Sequence, residues 1–589
     1  CASFGNDGTW LSLGGPHPEV GFVELNGLPP FDEATRGNPA LTRRYRRWMS
    51  ESRFGFLTIG TDTAMPPGAE QADASDPARP RWSLTLPGIV DDVDAVADER
   101  GITWRHRLRR TGAAAAPLRL RFVGRLDRPA LAEITEVNPP APTGADTVLR
   151  AEGATLHVAA DALAARVELA VTSDPPGPLA WQARDGHAEL EIGWPPEVEE
   201  LTVEVTGRLD VVSPPVGSAP EILSVPADLV PRLRSMVERA LIYVRTCAAL
   251  AVTADQRAIL TDHRLLPLSW TRDAYFQAML LLATGASADT RLVADHLRWL
   301  WLRCERPDAR WMRSHHADGR RKDLAFQIDQ QLYPILELAD YRRATGSAPT
   351  GVAWPALVRE AWDAAVAEVD PATCLAATTE NAADDEAPLP FILSSQILLW
   401  HTARQLAELA DAGLAELDAA QVLQFADRIR AAVDRHLPTD DGWAYATDAG
   451  AGRVRYHDAN DLPTAFAPLW GFCAPEDPTW LATVRFAFSP ANPGYFDGEF
   501  GGLGSLHTPG VWPLGDIQAW VCASLTGDRR AADGAVRRLC ETAFDDGMLP
   551  EAYDAATGLP IARDWFAWPG ALLGALVLLD QRGQLGRST

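Results

Sequence analysis

From Gly8 to Val212 apolar and polar positions alternate in short runs, the period expected of strands with one face buried. The runs are GTWLSLGG (8–15), PRWSLTLPGIV (80–90), ITWRHRLRR (102–110), LRLRFVGRL (118–126), ATLHVAA (154–160), ARVELAVT (165–172), HAELEIGW (187–194) and LTVEVTGRLDVV (201–212). Proline and glycine turns separate them, so the first third predicts an antiparallel β-sandwich. A Pro-rich stretch beginning at Ser213 reads as a linker. Past about residue 225 the apolar period lengthens to that of helices. Segments near 229–252, 270–284, 288–304, 329–344, 355–368, 391–411, 419–436, 462–471, 477–487, 511–526, 530–545 and 564–582 predict a dozen helices. A sequence repeat of solenoid length is lacking, so a dozen antiparallel helices predict two concentric rings of six, an (α/α)6 toroid. The expected division is a sandwich over 1–215, a linker over 216–228 and the barrel over 229–589.

Composition narrows the chemistry. A net charge of −25 excludes the basic face that nucleic acid or anionic membranes require. Lys322 is the sole lysine, and its neighbours Arg321 and Asp323 suit neither a phosphate-binding loop nor a kinase strand. Seven dispersed cysteines without a Cys-x-x-Cys pair read as free thiols of a reducing compartment, so a cytoplasmic location is expected. The alternative is export or lipid anchoring, if Cys1 is a processed terminus. Apolar runs are too short to cross a bilayer. His315–His316 lack metal-ligand spacing, so neither metal nor other cofactor is expected. Twenty tryptophans can fill a core or floor a sugar cleft, and composition does not choose between these.

Four stretches concentrate polar and aromatic residues where the helical period lapses. LPLSWTRDAYFQAML holds Trp270, Arg272 and Asp273, the last also explicable as a helix-start residue. RYHDANDLPTAFAPLWGF holds Asp458 and Asn460, more polar groups than a cap before Pro463 needs. A Gly- and Pro-rich stretch over 488–512 reads as a long loop, with His507 near its end and Trp512 at the next helix start. GMLPEAYDAATGLPIARDWFAWPG holds Glu551, Arg563, Trp565 and Trp568, although Glu551 also reads as a surface charge. A fifth element carries a carboxylate out of place: in AFQIDQQLYPILELADYRRATG, Asp329 shares a helical face with Leu332 and Tyr333. Two carboxylates from distant parts of a chain, each among aromatics, suit glycoside hydrolysis, one donating a proton and one activating water. Ion pairing of Asp329 with an arginine, such as one in HHADGRRKD, is the structural alternative.

In these stretches the chain resembles glycoside hydrolase family 125, the metal-independent exo-acting α-1,6-mannosidases. WTRD is similar to that family's Trp-Leu-Arg-Asp, and FQIDQQLYPILELADYRRATG to its Glu-Leu-Asp-Ser-Leu-Cys-Tyr-Pro-Ile helix. HDANDLP, the Asn-Pro to Trp-Pro series over 492–513, and the Glu551 and Arg563–Trp568 segments follow in the same order. The resemblance implies an (α/α)6 barrel and an inverting exo-hydrolase of terminal α-linked sugar, most readily α-mannoside. Asp329 then matches the general acid and Glu551 the general base. Arg272, Asp273, His507 and Arg563 match residues of the terminal-sugar pocket, and Asp458 and Asn460 fall at the cleft. Trp270, Trp565 and Trp568 are expected as stacking faces. Thr271, Gln330 and Pro550 depart from the family's motifs, which leaves sugar and linkage open. The β-rich third resembles the sandwich of bacterial glucoamylase-like enzymes, so a glucoamylase-type α-glucosidase is the main rival. A phosphorylase and a non-catalytic carbohydrate-binding protein are more distant readings. The expected partner is an oligosaccharide or glycoside; the oligomeric state is not legible.

Overall fold

The computed structural model describes all residues except 1, 6–7, 29–51, 60–68, 74–78, 87, 99–100, 113–117, 129–145, 185–186, 211–228, 323, 545, 564 and 584–589. Cys1 and the expected linker over 216–228 therefore lie outside the described residues. Sixteen strands among the described residues precede the helices and form two antiparallel sheets. One runs β10 (Arg125–Asp127), β3 (Gly21–Asn26), β2 (Trp10–His17), β4 (Gly55–Ile59), β9 (Leu118–Val123), β15 (His187–Ile192), β14 (Leu179–Arg184), with β1 (Ala2–Phe4) paired to β2. The other runs β11 (Val148–Glu152), β12 (Thr155–Ala160), β13 (Ala165–Asp174), β16 (Glu200–Asp210), β8 (Gly101–Arg110), β7 (Ile89–Asp98), β6 (Arg81–Leu86), β5 (Ala69–Asp73). Their inner faces meet in one core, in which Trp10 packs edge-on against Phe54 and Trp104. Strands such as β6 and β13 alternate strictly between buried and exposed positions, which is why their period was visible. Strand β3 does not alternate, because all six of its residues are buried. Its Phe22 belongs to the core of the helical part, so both of its faces are covered.

Among the described residues twelve helices of the α class follow: α1 (Pro231–Tyr243), α2 (Thr271–Thr284), α3 (Ser287–Leu302), α4 (Ile328–Thr345), α5 (Trp354–Val366), α6 (Leu393–Asp411), α7 (Ala419–His436), α8 (Leu462–Phe466), α9 (Pro478–Ala487), α10 (Pro513–Thr526), α11 (Arg529–Thr542) and α12 (Ala567–Gln581). The even-numbered helices touch in a closed circuit: α2 with α4, α4 with α6, α6 with α8, α8 with α10, α10 with α12, and α12 with α2. The odd-numbered ones pack outside, as in the pairs α6–α7 and α10–α11. This is the (α/α)6 toroid. The two rings differ in sequence for a physical reason. Inner helices are covered nearly all round, so α12 (AWPGALLGALVLLDQ) is almost wholly apolar, whereas outer α11 (RRAADGAVRRLCET) buries only Ala535, Leu539 and Thr542.

In a chain of alternating inner and outer helices all six inner helices run the same way. Their N-termini therefore gather at one mouth of the barrel, together with the six long connections that lead into them. The stretch over 488–512, expected as loop, contains the short strands Tyr495–Phe496, Gly502–Ser505 and Gly510–Val511, joined in one sheet with Ala552–Tyr553 and Pro560–Ala562. Glycine makes this possible: a Cβ on Gly504 would lie 1.7 Å from the Gly510 carbonyl oxygen. Among the described residues no helix is long and apolar enough to cross a membrane.

Candidate active site

One pocket opens at this mouth. Its lining includes Trp270, Arg272, Asp273, Asp384, Asn460, His507, Trp512, Glu551, Arg563, Phe566 and Trp568. Local sequence explains much of it. Trp270, Trp512 and Phe566 are the residues immediately before α2, α10 and α12, and none of the six inner helices has a side-chain cap. Aromatic rings thus stand where a serine or aspartate would ordinarily cap, and the first turns of α2 and α4 carry Arg272, Asp273 and Asp329. Outer helices α7, α9 and α11 are instead capped by Asp418, Asp477 and Asp528.

Arg272 is the hub of one wall. Its guanidinium donates to Asp329 Oδ2 at 2.7 Å and to Gln327 Oε1 at 3.1 Å, and lies 3.5 Å from Asp384 and 3.7 Å from Asp273. It also sits 5.1 Å above the ring of Trp568, where a cation is favoured. Burial alone would make this guanidinium easier to deprotonate, but the three carboxylates outweigh it and hold the charge firmly. Asp329 is buried in the first turn of α4 beside Tyr333, as its helical spacing predicts. Its partner is Arg272, so the ion pair weighed as the alternative exists, though with a different arginine. Among the described residues only Arg272 donates to this carboxylate, which leaves Oδ1 free of protein donors.

Asp273 accepts from Thr261 Oγ1 at 2.5 Å, while its Oδ1 is buried without a hydrogen bond. Burial pushes its carboxyl up to about 6 against the opposing pull of Arg272. Asp384, not singled out in the sequence, adopts a left-handed backbone (φ 67°). It accepts from Gln327 Nε2 at 2.6 Å and from the Trp270 indole at 3.1 Å. Burial acts to raise its carboxyl, yet Arg272, Arg313 and the Gln327 amide prevail and hold it below the ordinary range. It lies in the acidic run NAADDE ahead of α6, which contains neither aromatic nor arginine and so looks like any surface acidic stretch.

The part of the lining around Glu551 is more loosely paired. Glu551 lies 3.9 Å from Arg563, which also faces Asp262 at 3.6 Å and covers Phe566 at 4.8 Å. Arg563 has a left-handed backbone (φ 47°), a strained setting for a side chain with a Cβ. His507 bonds Asp385 Oδ1 at 3.0 Å; burial lowers its pKa, but Asp385, Asp384 and Glu551 together raise it.

Three candidates stand off the pocket lining: Asp329, joined to it through Arg272, and Asp458 and Trp565. Asp458 accepts from Tyr456, Ser505, and both the backbone and the side-chain amide of Asn460, so its oxygens brace the loop that presents Asn460. Trp565 packs against His263 and under Arg264, and its neighbour Phe566 takes the pocket face. Among the described residues no cluster of His, Cys, Asp and Glu is arranged to hold a metal.

With this geometry in place, residues 360–578 match the family model of metal-independent alpha-mannosidase (GH125). The helical domain is that of a glycoside hydrolase. Its fold is similar to a metal-independent alpha-mannosidase from Streptococcus pneumoniae, solved with alpha-1,6-mannobiose in a non-productive complex. That likeness has a TM-score of 0.52 and 18% identity, over 59% of this chain and 94% of the other. A bacterial glucoamylase complexed with acarbose is similar over 99% of this chain and 96% of its own, with a TM-score of 0.65 and 13% identity. The glycoside hydrolase thus carries its sandwich and barrel in the arrangement of that glucoamylase. No curated protein matches the chain.

Proposed function

We propose that this glycoside hydrolase is an inverting, exo-acting α-mannosidase, with Asp329 as general acid and Glu551 as general base. One observation carries the reading: Arg272, Asp273, Asp384, Asn460, His507, Glu551 and Arg563 converge on a single tryptophan-lined pocket, and Asp329 is tied to it through Arg272. Because Arg272 occupies Oδ2, the proton given to the glycosidic oxygen resides on Oδ1 of Asp329. Glu551 takes a proton from water, and the oxygen of that water attacks the anomeric carbon from the face opposite the leaving group. An inverting pair must be spaced by about 6.5–9.5 Å to admit that water. Charged donors and acceptors on the Arg272 wall hold ring hydroxyls, and Trp270 and Trp568 offer apolar faces to the sugar.

The mannosidase family match over 360–578 supports mannose. α-Glucoside hydrolysis is the second reading, favoured by the glucoamylase likeness across both parts of the chain. The deciding experiment is NMR of the first-released anomer from a panel of α-mannosides and α-glucosides. β-Mannose appearing first supports the proposal. Release of α-mannose overturns the inverting mechanism, and exclusive turnover of α-glucosides overturns the sugar.

A further inference from the structure

The loop over 261–269 borders the pocket and makes three connections. Thr261 Oγ1 donates to Asp273, and its carbonyl accepts the first backbone N–H of α12 at 3.0 Å. Asp262 Oδ1 accepts the backbone N–H groups of Arg264, Leu265 and Leu266 at 2.8, 2.5 and 2.9 Å, which closes the turn. Its Oδ2 makes no hydrogen bond and lies 3.6 Å from Arg563, the arginine beside Glu551. Leu265 and Leu266 line the pocket.

The sandwich grips this same loop. Ser3 of β1 bonds His263 Nε2 through its hydroxyl at 2.8 Å, and His263 Nδ1 meets the Tyr243 hydroxyl at 2.8 Å; all three residues are buried. Burial lowers the His263 pKa well below the ordinary value, so the ring serves as a neutral relay of hydrogen bonds. On β3, burial raises the carboxyl of Glu24 above its ordinary range against the pull of Arg264, and Glu24 accepts from Asn26 Nδ2 at 2.7 Å. Gly21 (φ 83°) packs so closely that a Cβ would lie 2.9 Å from the Cβ of His316. The strand His315–His316 pairs with Leu268–Ser269, directly ahead of Trp270.

We infer that the N-terminal sandwich is a working part of the active site, with Ser3 as a positioning residue that sets Arg563 and Asp273 through His263 and the 261–269 loop. This rests on the catalytic reading above only for its activity readout. The test uses the full chain carrying Ser3→Ala, with Ser83→Ala as control, since the exposed Ser83–Asp92 bond lies on the other sheet. Hydrogen exchange of residues 261–268 and kcat on the α-glycoside turned over fastest are measured together. The expected result is severalfold faster exchange in that segment and about tenfold lower kcat, with KM less affected, since small displacements of catalytic groups are costly. Ser3→Thr, which keeps the hydroxyl, restores both, and this comparison holds even where Ser3→Ala weakens folding. Unchanged exchange overturns the inference, and so does faster exchange with unaltered kcat. Absence of turnover by the unaltered protein on any α-glycoside sinks the catalytic reading instead, while exchange still decides whether the sandwich sets the loop.

Discussion

The inner and outer rings of the barrel use the same residue types at helix starts for different ends. Outer helices α7, α9 and α11 begin with an aspartate whose side chain accepts from their own first backbone N–H groups. Inner helices α4 and α2 carry their aspartates two and three positions past the cap. There Asp273 and Asp329 turn away from capping and toward Arg272 and the pocket. An aspartate that caps has its charge answered locally by amide donors. One that does not cap requires a tertiary partner, and a cluster of such residues is where binding chemistry can be built.

The sharpest way to break this contrast is to remove the proposed acid or base. Asp329→Ala and Glu551→Ala are each expected to lower kcat by about a hundred- to ten-thousandfold, read with a chromogenic α-mannoside. Retention of activity in either variant removes that residue from the mechanism. Next in size is Arg272→Ala. It leaves Asp329 and Asp273 buried without their cation and is expected to cost about 3–5 kcal/mol of stability by denaturant unfolding.

A third test concerns pH. Asp461, at the start of inner helix α8, has its carboxyl pushed up from 3.8 to about 7 by burial and by Asp458. The folded state therefore binds this proton more tightly than the unfolded chain does. The stability it contributes is complete below pH 3.8 and is lost as pH rises through about 7. Asp461→Asn should flatten the fall in unfolding free energy across that window; an unchanged slope would show that the carboxyl is not protonated in the fold. The smallest effect belongs to the outer ring. Asp528→Ala removes a cap from α11, should cost about 1 kcal/mol, and should leave kcat/KM unchanged. A loss of activity there would erase the distinction between the rings.

Much of this was legible in the chain because local rules and tertiary setting agree. All twelve helices were readable from their apolar period, and the alternating strands from theirs. Legibility failed where a segment is covered on two sides, as in β3, or where glycines let strands approach closely, as at Gly504. In the candidate site, residues beside aromatics in helix-start motifs stood out. Asp384 and Asp262 did not, because nothing in their local sequence separates them from surface acids.

What the sequence determined by itself is periodicity: where strands and helices lie, which faces are apolar, and that polar groups accumulate before alternate helices. These follow from spacing along one element. Tertiary structure alone decided the partners, with Asp329 bound to Arg272, Trp565 turned toward His263 while Phe566 faces the pocket, and Asp458 held by Ser505. Such choices depend on distances between residues dozens to hundreds of positions apart. They are set only when the ring closes and brings six helix starts to one mouth.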